Sequence, residues 1–216
     1  MPELLNDLME SCRTTEEGDP SARIEGLMDE CKLPARARQV FRRTYVYPEH
    51  RYLTEWQVLG AFPNEDDRGL EMPFPPEMDK TKLEAEYRNG TETLKWRLVK
   101  STRDFVELSA GKPPETGVGY AVCWIYNEKA RPATLEIGSD DGSKVWINRK
   151  LVHSVHEHGA AAPAQWRDPV YLPAGWSEVL VKVEQIGDAW GFYLEFADPD
   201  GRGPLDGLKV STTPGN

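Results

Sequence analysis

The chain of 216 residues has few cysteines, fewer basic than acidic residues and no long apolar run. Its three cysteines, Cys12, Cys31 and Cys123, lack metal-ligand spacing, so they indicate neither a disulfide framework nor a structural zinc site. Lysine and arginine number 26 against 36 aspartates and glutamates, which gives a net charge of −10. Such a chain is repelled by phosphates, so nucleic acids and anionic membranes are not expected partners.

Catalytic motifs and membrane-spanning segments are also missing from the sequence. No apolar run approaches the roughly 20 residues that cross a bilayer, and the acidic N-terminus lacks the parts of a signal peptide. Gly-x-Ser-x-Gly, His-Glu-x-x-His and phosphate-binding glycine loops do not occur. We therefore expect neither an enzyme nor a membrane partner. Localisation stays open, because a fragment of a secreted protein could be extracellular or periplasmic.

The periodicity of the apolar residues changes near residue 45. Before that point they recur at helical spacing, over Leu4–Met9 and again over Ile24–Cys31, whereas beyond it they alternate and turn residues separate short runs. This pattern predicts a short α-helical N-terminal extension over 1–45, a β domain over 46–201 and a loop-like tail over 202–216. The expected fold is mainly β, an antiparallel jelly-roll β-sandwich. The proline-rich stretch Phe62–Met78 is predicted to be a long surface loop.

Residues 137–152 are the most informative stretch. They predict two strands joined by a tight turn at Asp140-Asp141-Gly142, followed by a second turn at Asn148-Arg149. The adjacent carboxylates of Asp140 and Asp141 could accept hydrogen bonds from sugar hydroxyls or coordinate calcium. The alternative is that both side chains only stabilise the turn.

Aromatic and basic residues add further candidates for a ligand site. Among seven tryptophans, Trp146, Trp166 and Trp190 lie near the acidic turn, a long loop or a strand start, where a ring could stack on a sugar. Arg167 could supply a charged hydrogen bond to an acidic or sulfated glycan.

The histidines near the second predicted turn form a separate group, His153, His156 and His158. Imidazoles beside Glu157 could bind a transition metal, but a solvated loop is the preferred interpretation. If the preceding strand continued, His156 and His158 would share a face and His153 would not.

Four motifs carry a resemblance to known domains: Gly138-Ser139-Asp140-Asp141-Gly142, Val145-Trp146-Ile147-Asn148-Arg149-Lys150, Gly175-Trp176-Ser177 and Val181-Lys182-Val183. The segment Trp56–Gly201 resembles a galactose-binding-like jelly-roll domain, and its last third is similar to the sugar-binding domain of family-two glycoside hydrolases. It also looks like the lectin-like domain shared by protective antigen and the yeast flocculins, in whose sugar-binding members paired aspartates hold calcium. Arg149 and Ser177 depart from the glycine and asparagine of the family-two pattern.

Together these features predict a non-catalytic carbohydrate-binding accessory module of a larger bacterial multidomain protein, with a polysaccharide or glycan as its partner. Calcium is the one cofactor that the acidic turn would accept. The alternative is a structural or protein-interaction β-sandwich without a small ligand, with neighbouring protein domains as partners. An exposed aromatic beside Asp140 would favour sugar binding, and a flat apolar face against the helical extension would favour assembly.

Overall fold

A computed structural model describes residues 20–215 of the protein, with side chains from Ile24 onward. The predicted helix over Leu4–Met9 and Cys12 lie outside the described residues. The helices are α1 (Pro20–Glu30), α2 (Ala35–Phe41) with a π-helical turn at Arg42–Val46, and α3 (Pro75–Met78), and a 3₁₀ turn covers Glu65–Asp67. None of the helices in the described range is long and apolar enough to span a membrane.

Thirteen strands occur within these residues. They are β1 (Glu55–Phe62), β2 (Glu86–Asn89), β3 (Glu92–Lys95), β4 (Arg97–Lys100), β5 (Val106–Glu107), β6 (Gly117–Asn127), β7 (Arg131–Ser139), β8 (Ser143–Ile147), β9 (Lys150–Val155), β10 (Trp166–Leu172), β11 (Gly175–Gln185), β12 (Gly191–Ala197) and β13 (Lys209–Ser211). The strand order is β4-β1-β6-β11-β8-β9 in a seven-stranded sheet, where β13 also pairs with β6, and β10-β7-β12-β5 in a four-stranded sheet. All of these pairs, and the hairpin of β2 with β3, are antiparallel.

The core lies between the two sheets, and alternation along each strand selects which residues enter it. On β11 the inward residues are Val179, Val181 and Val183, and on β12 the aromatic Phe192 alternates with half-buried Tyr193. This period of two is the signal read from the sequence. The expected antiparallel sandwich with N-terminal helices is confirmed.

The outer face of the seven-stranded sheet is also covered, which the sequence did not predict. The segment between β1 and β4 folds over this face with the 3₁₀ turn, α3 and the β2–β3 hairpin. Its first part, Phe62–Met78, is the stretch that was expected to be a surface loop. Leu94 and Trp96 join a second apolar cluster there, and Phe74 packs against it. Lys182 of β11 is consequently buried, and its ammonium donates to Glu77 at 2.7 Å. The segment is thus a cover rather than a solvated loop.

The helical extension packs on the outer face of the four-stranded sheet. Gln39 of α2 donates to the hydroxyl of Thr134 on β7 at 2.6 Å, and Arg43 reaches Glu136 and Glu195. Polar and charged groups therefore form much of this contact. It is not the flat apolar face that would favour assembly.

The predictions of a tight turn at Asn148-Arg149 and of a loop-like tail have different outcomes. Asn148 and Arg149 both have positive φ, at 48° and 71°, so the turn is tight and left-handed although arginine replaces glycine. The Arg149 side chain donates to the carbonyl of Pro76 at 2.9 Å, which ties the turn to the cover. The tail is not wholly loop-like, because β13 pairs with β6.

Candidate functional site

The acidic turn joins β7 to β8 at one end of the sandwich. Asp141 has φ of 62°, a conformation that aspartate tolerates better than most residues, and Gly142 follows it before β8 begins. Both aspartates are largely buried, at 7% exposure for Asp140 and 6% for Asp141. Their carboxylates have different surroundings.

The Asp141 carboxylate ties two neighbouring loops to the turn. One oxygen accepts from the backbone N–H of Gly159 at 3.1 Å, and the other accepts from the N–H of Ile186 at 2.7 Å. A buried carboxylate with two such donors is well satisfied. This is the architectural role that the turn interpretation expects of Asp141.

Asp140 instead lines an open cleft of about 930 Å³ on the same end of the molecule. Burial raises the pKa of its carboxyl group from 3.8 to about 6, and the neighbouring charge of Asp141 adds to this rise. Half-buried Phe105 and Tyr193 line the same cleft, with ring centroids 5.1 Å apart. The cleft therefore combines an acid with a pair of partly accessible aromatic rings.

The far wall of the cleft is formed by the segment before β10, including Ala160 and Ala161. This segment crosses β7 closely at Gly138, where an added Cβ would lie 1.7 Å from the carbonyl oxygen of Ala162. Only glycine permits this approach. Basic residues on the opposite side include Arg97 and Arg103, although the Arg97 guanidinium already donates to the carbonyl of Leu108.

Sequence reasoning did not single out Phe105 and Tyr193. The alternation of β12 places Tyr193 on the face away from the core, so one signal was present. Its approach to Phe105 depends on the antiparallel pairing of β12 with β5, where Phe192 lies opposite Val106. Pairing between strands distant in sequence cannot be read from local periodicity.

The other predicted ligand residues do not gather around Asp140. Trp190 is buried in the core and donates from its indole N–H to the carbonyl of Val183 at 3.3 Å. Trp146 packs half-buried against the cluster on the outer face of the seven-stranded sheet. Trp166 and Arg167 line a separate cavity of about 200 Å³, and the Arg167 Nε donates to Glu136 at 3.0 Å.

The three histidines divide as the strand-continuation argument predicts. His153 lies within β9 and is buried, whereas His156 and His158 follow the strand and lie close together edge-on, with ring centroids 5.6 Å apart. The solvated-loop interpretation is therefore wrong for His153. His156 and His158 are partly exposed and contact Asp67, and His156 also contacts Glu184.

His153 belongs to a hydrogen-bonded chain that has the residue types of a hydrolase triad. Its Nδ1 lies 2.7 Å from Asp168, and its Nε2 lies 3.2 Å from the Ser143 hydroxyl. Burial lowers the pKa of His153, while Asp168 opposes this change. Ser143 is fully buried, and its oxygen accepts from the Ser139 hydroxyl at 2.8 Å. A substrate therefore has no access to this hydroxyl, which favours a structural role for the chain of contacts.

Comparison with solved structures finds similar folds in parts of other proteins. A PA14 domain of an antifreeze protein matches at 16% identity and TM-score 0.34, over 40% of this chain and 47% of that one. An anti-sigma factor domain-containing protein from Clostridium clariflavum matches at 14% identity and TM-score 0.41, over 67% of this chain and 42% of that one. A glycosyl hydrolase family 2 member from Bacteroides cellulosilyticus matches at 12% identity and TM-score 0.41, over 69% of this chain and 21% of that one.

These matches include both kinds of domain that the sequence resembles. The chain spans less than half the length of each of the three proteins. With TM-scores below 0.5 they carry no argument for a ligand or an activity. No protein-family model matches the chain, and no curated protein has significant sequence similarity to it.

Proposed function

We propose that this chain is a non-catalytic carbohydrate-binding accessory module of a larger bacterial multidomain protein. The observation that carries the proposal is the meeting of Asp140, Phe105 and Tyr193 in one open cleft. Sugars present C–H faces that stack on aromatic rings and hydroxyls that donate to carboxylates. A partly accessible aromatic in the same cleft as Asp140 is also the feature that favours sugar binding over assembly.

In this proposal Asp140 accepts hydrogen bonds from sugar hydroxyls, and Phe105 with Tyr193 provides the apolar contact. Asp141 acts indirectly by holding the segments around Gly159 and Ile186. The exposed guanidinium of Arg103 at the cleft favours an acidic or sulfated glycan. The sequence had predicted this charged hydrogen bond for Arg167. Arg167 is instead engaged with Glu136.

In this proposal Asp140 is the calcium ligand, because both Asp141 oxygens already accept hydrogen bonds from backbone N–H groups. Calcium takes six to eight oxygen ligands, so it would require further oxygens from the glycan or from water. Glycan binding that needs calcium and binding that does not are therefore separate arms of the same test.

The test is a thermal-unfolding scan against soluble neutral, acidic and sulfated polysaccharides, with and without calcium. A ligand at 100 times its Kd stabilises the folded state by about 2.7 kcal/mol, so a bound glycan raises the unfolding midpoint. Asp140→Asn and Phe105→Ala should each weaken this shift. The matched controls are Asp206→Asn, an exposed carboxylate, and Tyr171→Ala, an exposed aromatic outside the cleft.

A midpoint that no polysaccharide moves would contradict the proposal and favour the protein-interaction alternative. A shift that survives both cleft variants would remove the cleft from the binding site.

A further inference from the structure

Four side chains, two of them from the histidine group noted in the sequence, meet beside the outer face of the seven-stranded sheet. Asp67 comes from the 3₁₀ turn after β1, His156 and His158 follow β9, and Glu184 lies near the end of β11. One ligand atom of each lies within 4.8 Å of the corresponding atom of the other three. Three separate segments thus bring two imidazoles and two carboxylates to one place.

Glu184 is the unusual member of this group. Its side chain is 0% exposed, and neither carboxylate oxygen has a hydrogen-bond partner among residues 20–215. A buried carboxylate without partners is costly, and native proteins avoid it unless another group compensates the charge. Burial raises the pKa of Glu184, and Asp67 adds to this rise while His156 opposes it.

We propose that Asp67, His156, His158 and Glu184 bind a divalent transition-metal ion, with zinc as the reference ion. Imidazole nitrogens and carboxylate oxygens are ordinary zinc ligands. Calcium is the poorer candidate here, because it prefers an all-oxygen shell.

The separations between ligand atoms lie at or slightly below those around one shared ion. Atoms bound to a tetrahedral zinc at about 2.0–2.2 Å lie roughly 3.3–3.6 Å from one another. The His156 Nε2 lies 3.0 Å from Glu184 Oε2 and 3.6 Å from Asp67 Oδ1, and the His158 Nε2 lies 3.1 Å from the other Asp67 oxygen, Oδ2. Ligands that share an ion point at the ion rather than at each other. The 3.0 Å approach of His156 to Glu184 without a hydrogen bond fits this arrangement.

The local charge also suits a divalent cation. Two carboxylates face two imidazoles, and the two nearby lysines on the same sheet face have other partners: Lys182 donates to Glu77 at 2.7 Å and Lys144 to Glu71 at 2.6 Å.

A competing arrangement is an imidazolium at His156 paired with Glu184, which needs no metal. Asp67 and the two histidines are partly exposed, so an ion can reach the group.

The site has a structural consequence for the cleft, although it does not depend on glycan binding. The segment that carries His156 and His158 continues to Ala160 and Ala161, which line the cleft. A metal that holds the two histidines against Asp67 would fix the start of this segment. Asp141 holds its middle through Gly159.

The experiment is a zinc titration of the tag-free, chelator-treated chain in competition with a chromogenic chelator. We expect one zinc per chain, and cobalt at the same site should give the visible absorption of a four-coordinate ion. His158→Gln and Glu184→Gln should each lower the affinity at least about tenfold, since even groups outside the ligand shell cost that much. His158 is half exposed and Glu184→Gln preserves volume, so both variants should remain folded.

The matched controls are Glu157→Gln, which removes a charge beside the histidines, and His50→Gln, which removes a histidine from the other acidic group, with Glu136 and Glu195. Both should bind zinc like the unmodified chain. A chain that binds no zinc, or keeps its affinity in both site variants, contradicts the proposal. If only His50→Gln loses zinc binding, the ion binds at the group of His50, Glu136 and Glu195, which also contradicts the proposal.

Discussion

Two groups of acidic side chains are buried on the outer faces of the two sheets, and they differ in how their charge is compensated. On the four-stranded sheet, Arg43 donates to Glu136 at 2.9 Å and to Glu195 at 2.8 Å. On the seven-stranded sheet, Glu184 has no such partner among the described residues. The pKa of Glu136 is lowered because Arg43 and Arg167 outweigh its burial, whereas burial raises the pKa of Glu195 and of Glu184. The two groups therefore differ in the arginine that donates to Glu136 and Glu195, not in every pKa.

The Arg43 contact with Glu136 and Glu195 is therefore complete, whereas the group around Glu184 can still bind a cation. The Arg43 guanidinium also donates to the carbonyls of Tyr47 and Glu49, at 2.6 and 2.7 Å, so its donors are fully used. This contact anchors the helical extension to the sandwich. The Glu184 group fixes nothing comparable by itself.

The largest effect is expected from removing the compensating charge. Arg43→Met leaves Glu136 and Glu195 buried without their shared partner, which should destabilise the fold by about 3–5 kcal/mol. Urea unfolding measures this directly. Arg51→Met, which breaks an exposed pair with Asp206, is the control and should cost less than about 1 kcal/mol. Equal losses in the two variants would show that the Arg43 contact is not a buried ion pair in solution.

A matched pair of substitutions should separate the two acidic groups by sign. Glu136→Gln weakens charged hydrogen bonds to Arg43 and Arg167 and should cost about 2–3 kcal/mol. Glu184→Gln removes an uncompensated charge, so in the presence of chelator it should stabilise the fold or change it by less than about 1 kcal/mol. Both values come from urea unfolding at neutral pH. A large loss in Glu184→Gln would mean that an imidazolium at His156 already compensates Glu184.

Asp141 extends the comparison to a carboxylate compensated by backbone amides. Asp141→Asn tolerates the positive φ but can accept from only one of the N–H groups of Gly159 and Ile186. The loss should be about 1–3 kcal/mol, the cost of one buried donor left without a partner. Hydrogen exchange should quicken at these two amides and not at distant ones. Unchanged protection at both would remove the tie assigned to Asp141.

Asp140 should give a small effect, visible as a pH dependence. Its pKa is raised in the folded state, so its protonated form stabilises the fold below pH 4, and this stability is lost as pH rises through about 6. The stability difference between the unmodified chain and Asp140→Asn should therefore change by about 1–2 kcal/mol across this window. Without screening, the rise of the Asp140 pKa from 3.8 to about 6 would correspond to roughly 3 kcal/mol. Water in the open cleft screens the Asp140 charge, so the expected change is smaller. A pH-independent difference would contradict the raised pKa.

Local pattern was sufficient for the sandwich and the acidic turn, because strand alternation and turn residues act over a few neighbours. The core valines of β11 and the turn at Asp140 and Asp141 are examples. The sequence did not predict that Lys182 and Glu184, on the polar side of β11, are buried. That burial depends on the cover, which is distant in the chain: Glu77, the partner of Lys182, lies 105 residues before it.

The four residues proposed as metal ligands also show that local sequence pattern does not predict contacts between distant segments. The spacing of His156 and His158 predicted a shared side, which the structure bears out, but Asp67 was one acid in a run of three. Its approach to the histidines follows from packing of the 3₁₀ turn, which periodicity does not encode. Likewise the rings of Phe105 and Tyr193 meet only through the pairing of β5 with β12.

The most direct test of the contrast between the two acidic groups compares the unfolding midpoints of the unmodified chain and Glu184→Gln, first in chelator and then in excess zinc. In chelator the variant should be as stable as the unmodified chain or more so. In zinc at 100 times its Kd the unmodified chain should gain about 2.7 kcal/mol and become the more stable of the two. If the order is the same in both conditions, Glu184 is not part of a cation site and its burial needs another explanation.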